Sequence, residues 1–385
     1  MQPFASPLTA IINPPDLQSA MPGDGLELSV IVQNQGEYGA VIDVYLDDTD
    51  QIPSQWCQSV RQRLALDPQQ NGEVIFDFVL PANALPGTYD YTLVIDSPLH
   101  YPEDTPIQYP QQLRVLLREQ TVVRVNDPSF FLSPATNPQK PARLNPGDVL
   151  PVQVRVENRS NLVDKFRLTC LDLEAEWFTI RYPSKNLDAP GLVAETSCLE
   201  LNPGMSGYIQ LELHPPAETL AGTYTPTLRL YSDNHPDLVL LDLVYLDIPT
   251  VEQLQVELET VIGKVSHRPG KYLLKLRNAG NIIRQLSFSA SSREEDELCT
   301  YDYEPPQVRL PPSREAEILL LVQPVHKRRR PFVGTGQVIN FQVELEDTQG
   351  YKLPEKLPQA MLIWKARPWW QLLLLVLLVL GLLGG

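Results

Sequence analysis

Apolar and polar residues alternate along three stretches of the chain that share one layout. Counting back by two from Asn34 gives Val32, Val30, Leu28 and Leu26. From Asn158 it gives Val156, Val154, Val152 and Leu150, and from Asn278 it gives Leu276, Leu274 and Tyr272. The positions between are mostly polar, among them Glu27, Ser29, Gln153, Arg155, Lys275 and Arg277. A period of two with one apolar face predicts a half-buried β-strand, not a helix. Pro22-Gly23, Pro146-Gly147 and Pro269-Gly270 precede these strands. The Asn residues that end them sit in turns, because Gly and Asn tolerate positive φ and proline presets its own.

The same phase continues past each turn, through Ile42/Val44/Leu46, Phe166/Leu168/Cys170 and Leu286/Phe288/Ala290. A slip of one residue would turn all of these side chains outward, so agreement in three copies fixes the register. A second landmark is a Leu ahead of a proline turn: Leu66-Asp67-Pro68, Leu201-Asn202-Pro203 and Leu310-Pro311-Pro312. Each is followed by another alternating strand, through Val74/Phe76/Phe78, Ile209/Leu211/Leu213 and Ile318/Leu320/Val322. Gly87-Thr88-Tyr89 and Gly222-Thr223-Tyr224 open the next strands, and the third copy reaches its counterpart later, at Ile339/Phe341/Val343/Leu345.

Three repeats of about 120 residues suit domains of ordinary size. The fold class expected is all-β: three tandem antiparallel β-sandwiches over 1–118, 119–249 and 250–367, then a transmembrane segment over 368–385. The 37 prolines agree with short strands and turns. A net charge of −16 argues against a nucleic-acid partner. Parity turns Cys170 inward and Cys198 outward, Cys57 and Cys299 stand alone in their repeats, and no CxxC occurs; reduced thiols are expected. Residues 1–15 lack the basic and apolar regions of a secretory signal.

After the last expected strand, Gln359 to Ala366, comes Pro368-Trp369-Trp370-Gln371, and then Leu372 to Leu383, almost all Leu and Val. As a helix rising about 1.5 Å per residue, 368–385 spans roughly 27 Å, barely one bilayer crossing. Trp369 and Trp370 mark the interface, and Lys365 and Arg367 place the preceding side in the cytoplasm. The partners expected are therefore the lipid bilayer and an unidentified protein. His326-Lys327-Arg328-Arg329-Arg330 is the densest basic run. Strand alternation puts it at the membrane-facing end, where Lys327, Arg328, Arg329 and Arg330 would meet anionic lipid at about 1 kcal/mol each.

The Pro-Gly-Asp turn, the alternating strand, the Asn-x-Gly/Ser turn, Trp56 and Trp177, Leu-x-Pro and Gly-Thr-Tyr together resemble the bacterial Ig-like domains associated with α-galactosidases. Tandem copies ahead of a membrane helix resemble a group of uncharacterised bacterial membrane proteins, and Arg329-Arg330-Pro331-Phe332-Val333-Gly334 is similar to a signature in the last such domain. The resemblance covers nearly the whole chain. It implies an Ig-like sandwich fold and carries no catalytic motif. The third repeat departs from it, with Leu298 where Trp56 and Trp177 stand. The cysteine pair of antibody domains is missing.

No residue reads as catalytic, cofactor-binding or metal-ligating. The five histidines stand singly, and HExxH, GxSxG and GxxxxGK[ST] are absent. Gly334-Thr335-Gly336 lies in a β loop with no helix after it, so it lacks the context of a phosphate loop. Asp47-Asp48-Thr49-Asp50 reads as a solvated turn and Trp56 and Trp177 as caps of the core. The function expected is a non-catalytic, membrane-tethered spacer or protein-interaction scaffold. A cell-surface adhesion or carbohydrate-binding protein requires the opposite orientation. A non-catalytic arm of a larger membrane enzyme requires chain beyond residue 385.

Overall fold

The computed structural model describes all residues except 1–5, 16, 49–51, 121–123, 125, 184, 187–192, 195–196, 293–297, 326–329, 332–333, 369, 372, 375 and 378–385. The chain is all-β, with three hydrophobic cores, each enclosed by two principal sheets. In the first, Leu8–Asn13, Gly25–Asn34 and Asn71–Val79 form one sheet in that order. The facing sheet runs Gln18–Ala20, Ile107–Val115, Gly87–Asp96, Ala40–Asp47, Arg61–Leu66. In the second, Phe178–Arg181, Ser206–Leu213, Leu150–Glu157 and Ser129–Ser133 face Leu199–Leu201, Asp164–Cys170, Thr227–Ser232 and Leu240–Leu243. In the third, Leu254–Ile262, Gly270–Asn278, Glu315–Pro324 and Cys299–Glu304 face Lys264–Val265, Gln359–Trp364, Gln337–Asp347, Arg284–Ser292 and Gln307–Leu310.

The alternation read from the sequence fills these cores. Leu28, Val30, Val32, Val152, Val154, Val156, Tyr272, Leu274 and Leu276 are all buried. Leu298 is buried in the third core, and Trp56 packs edge-on against Tyr89 at 5.1 Å between ring centres. Trp177 lies against Tyr224 at 5.3 Å. All four cysteines are free, with Cys170 packed at the margin of the second core; Cys198 is half-buried, not turned fully outward. Backbone contacts divide the chain into two compact units. The first two cores lie in the unit formed by residues 1–215 and 223–247, and the third lies in the unit formed by 216–222 and 248–385.

Some strands lie outside the repeated pattern. Leu8–Asn13 pairs antiparallel with Gly25–Asn34, so the N-terminal segment contributes an edge strand. Ser129–Ser133 is a strand among Pro128, Pro134, Pro138 and Pro141. The apolar stretch from Leu238 to Leu246 is divided into Leu240–Leu243 and Leu246–Ile248. Among the described residues, no helix is long and apolar enough to cross a membrane. Much of the expected span, including 378–385, lies outside those residues.

The two landmarks of each repeat meet in space. Asn34, Asn158 and Asn278 are almost fully buried. Each donates through Nδ2 to the carbonyl four residues on, at 2.7–2.8 Å (Tyr38, Leu162, Ile282). Each also donates to the carbonyl of the landmark Leu, at 3.0–3.1 Å (Leu66, Leu201, Leu310). Each Oδ1 accepts the backbone N–H two residues on, at 3.1 Å. The Asn side chain thereby ties the end of one sheet to the turn leaving the other. Its repetition is a packing requirement, and it accounts for Asn158 in the Asn158-Arg159-Ser160 sequon.

The turn that receives this tie is built alike in all three repeats. Pro68, Pro203 and Pro312 are followed by Gln69, Gly204 and Ser313 at φ of 65°, 69° and 56°. This left-handed position disfavours any side chain. A Cβ at Gly204 would meet nothing within 4 Å, so its substitution tests backbone strain alone. Gly204→Ala is expected to cost about 1–2 kcal/mol in urea unfolding. Gln69→Gly should move stability the other way by less, because glycine also loosens the unfolded chain.

Candidate functional site

Of the residues singled out for the membrane-facing end, the described ones, Arg330, Lys365, Arg367 and Trp370, lie at or just past the exit of the last strand of the third core. Leu362 and Trp364 point inward and are buried, while Met361 is exposed, so alternation seats the strand. Trp364 Nε1 also donates to the Ser266 carbonyl at 3.2 Å. The strand pairs antiparallel with Gln337–Asp347, placing Trp364 opposite Gln337, and parallel with Lys264–Val265. The start of Gln337–Asp347, which follows the basic run, therefore lies beside the chain exit. Gly336 explains part of the glycine motif there: at φ 114° a Cβ would come within 2.4 Å of the Trp364 carbonyl. That glycine permits close packing of backbone on backbone.

Arg330 is the described member of the basic run, and it is buried, with 9% of its surface exposed. Its Nε donates to the Lys365 carbonyl at 2.7 Å and its Nη2 to the Ala366 carbonyl at 3.1 Å. Its Nη1 lies 3.4 Å from His267 Nδ1. The backbone N–H of Arg367 donates to the Pro331 carbonyl at 2.8 Å. Arg330 thus clamps the chain where it leaves the sheet instead of projecting from a solvated loop. Lys327, Arg328, Arg329 and Trp369 lie outside the described residues. Lys365 and Trp370 are exposed, and Arg367 is half-buried.

Beside the clamp is a cavity of about 450 Å³, lined by Ser266, His267, Arg330, Trp364, Arg367 and Gln371 with Gln323 and Pro324. Among the described residues, no carboxylate lines it. Sequence reasoning found Arg330 and Arg367 but missed His267 and Gln371. His267 sits in a loop with no pattern around it, and only the pairing of Lys264–Val265 with the last strand brings it here.

The other candidate chemistry resolves into packing. Asp48 of the acidic turn accepts the Ser54 backbone N–H and hydroxyl at 2.8 Å each, at the start of the short helix Ile52–Trp56. Among the described residues, no three His, Cys, Asp or Glu side chains gather as a metal site.

No family model matches the chain, and no curated protein is similar to it. Solved structures align at low similarity. A protein of unknown function from Porphyromonas gingivalis W83 is 14% identical over 63% of this chain and 100% of its own, with a TM-score of 0.23. Escherichia coli alpha-2-macroglobulin activated by porcine elastase is 13% identical over 94% of this chain and 33% of its own, at 0.21. A PapD-like domain of human CEP192 is 12% identical over 35% of this chain and 93% of its own, at 0.20. These scores are too low to carry an argument about fold or function.

Proposed function

We propose that the chain is a non-catalytic, membrane-tethered spacer or protein-interaction scaffold, made of three Ig-like sandwiches on a C-terminal anchor. The observation that carries the reading is the state of the residues after Pro368. Trp370, Leu373, Leu374, Val376 and Leu377 are helical, and each is about half-exposed. At about 100° per residue, positions 370, 373, 374, 376 and 377 fall within an arc of about 160°, so these described residues present one exposed apolar face. An exposed apolar face of this kind favours a non-aqueous environment. The apolar residues that follow, to Leu383, lengthen such a segment toward a bilayer crossing.

The Ig-like reading is supported by the repeated arrangement of two sheets about one core. It is supported too by a short strand paired parallel with the last one in every repeat: Gln18–Ala20 with Ile107–Val115, Ala142–Arg143 with Leu246–Ile248, and Lys264–Val265 with Gln359–Trp364. Lys365 and Arg367 ahead of the apolar stretch favour a cytoplasmic face for the sandwiches. Four free thiols fit a reducing compartment.

The full chain is expected to stay with membranes through an alkaline carbonate wash, and a version ending at Ala366 is expected to be released. Protease added outside intact cells should leave the sandwiches whole. Their degradation, with cytoplasmic markers intact, would favour a surface adhesion role; release of the full chain by carbonate would remove the anchor.

A further inference from the structure

We propose that the cavity at the chain exit of the third core binds the phosphate of a membrane lipid headgroup. The proposal rests on the anchored reading above and gives it a specific ligand.

The argument starts from buried charge. An arginine is seldom buried without a partner, because an uncompensated charge out of water is costly. Three arginines are buried among the described residues: Arg114, Arg284 and Arg330. Arg114 pairs with Asp242 at 2.6 Å and Arg284 with Asp347 at 2.9 Å. Arg330 has no carboxylate partner among the described residues. It meets two carbonyls and His267, and it lines a cavity that contains Arg367 and, among the described residues, no acid. In a chain of net charge −16, such a cavity stands out from the acidic background.

The geometry suits an oxyanion. A guanidinium carries five N–H groups in a rigid fork. Bonds from Nε, Nη1 and Nη2 fix the plane of that fork, and each Nη keeps a further N–H. A donor fixed before the ligand arrives loses little freedom on binding. Arg367 adds a second cation, and Ser266 and Gln371 add neutral hydrogen-bonding groups. Arginine matches phosphate oxygens in a planar, two-pronged contact.

A lipid source is favoured over free phosphate by position. Gln371 on the cavity wall follows exposed Trp370, and the apolar residues run on from it. Tryptophan beside an apolar span marks the headgroup level. A phosphate in the cavity would leave its acyl chains alongside the span.

The test is calorimetric titration of the purified full chain in non-ionic detergent. The probes are dioctanoyl phosphatidic acid, dioctanoylglycerol and inorganic phosphate. Phosphatidic acid is expected to bind, with dioctanoylglycerol giving no heat and inorganic phosphate binding about tenfold more weakly or worse. Arg367→Gln should weaken the lipid by about tenfold or more. Arg330→Gln should weaken it further, and because that change also loosens the clamp, Arg367→Gln carries the comparison. Equal binding of dioctanoylglycerol, equal binding of inorganic phosphate, or indifference to Arg367→Gln overturns the proposal. Carbonate washing separates the two readings: a chain that stays in the membrane but binds no phosphatidic acid refutes the ligand alone, and a chain that washes off refutes the anchor.

Discussion

Asn158→Asp is expected to unfold the second sandwich, at a cost of about 3–5 kcal/mol. The substitution keeps the shape of the side chain and exchanges an amide donor for a carboxylate. In the native fold Nδ2 donates to the carbonyls of Leu162 at 2.8 Å and Leu201 at 3.0 Å, with Asn202 at 3.3 Å. A carboxylate oxygen there would face these acceptors with no hydrogen to offer. At 1% exposure, water cannot relieve the repulsion. Protonation would supply one donor where two or three bonds were made. Asn158→Ala should cost less, about 1–3 kcal/mol, since it leaves carbonyls unpaired without burying a charge. Urea unfolding of the full chain in detergent, followed by tryptophan fluorescence, gives the comparison. Similar stabilities for Asn158→Asp and the parent chain would show that the tie between the two landmarks bears no load.

This tie marks how far the sequence could be read. Asn34, Asn158 and Asn278 were visible as turn residues, and Leu66, Leu201 and Leu310 as turn approaches, because each has a local pattern around it. That the first group donates to the second was not visible, since the partners are 32 or 43 residues apart. Parity arguments succeed where one face of a strand is buried and the other is wet. Alternation turns Leu113 and Val115 to one face of Ile107–Val115 and Arg114 to the other. In the structure all three are buried, because the outer face of Ile107–Val115 is covered within the first compact unit. Tyr245 donates to the Pro86 carbonyl at 2.7 Å and Asn137 to the Thr88 carbonyl at 2.9 Å in the same region. Burial of the second face by a neighbouring sandwich leaves no periodic trace. The candidate site repeats the lesson: charge density pointed to the run ending at Arg330, but only the pairing of the last strand shows where that guanidinium lies.

Arg114→Met is expected to make the first compact unit lose stability as pH rises from about 4 toward neutrality. Arg114 and Asp242 are both nearly inaccessible, with Nη2 and Oδ2 2.6 Å apart. Arg114 also donates to the carbonyls of Phe130 at 2.5 Å and Leu241 at 3.3 Å. Burial raises the Asp242 carboxyl above its ordinary range, while the Arg114 charge and the Leu243 N–H oppose the rise. Methionine removes the opposing cation and keeps much of the stem's apolar volume. Below the unfolded value of about 3.9, Asp242 is neutral in both states and imposes no charge penalty. Above it the unfolded chain gives up the proton freely and the folded carboxyl holds it. The unfolded state then binds fewer protons, so stability falls by about 1.4 kcal/mol per pH unit until the raised folded value is reached. Against a typical total of about 5–15 kcal/mol, a few units of pH are enough to unfold the unit. The parent chain should show a much shallower slope. Arg114→Met combined with Asp242→Leu should abolish the slope and recover stability near neutrality, because a packed apolar pair replaces a buried ionic one at little net cost. Urea midpoints measured from acid to neutral pH decide it: a flat profile for Arg114→Met would mean that Asp242 is reached by water or by another cation once Arg114 is gone.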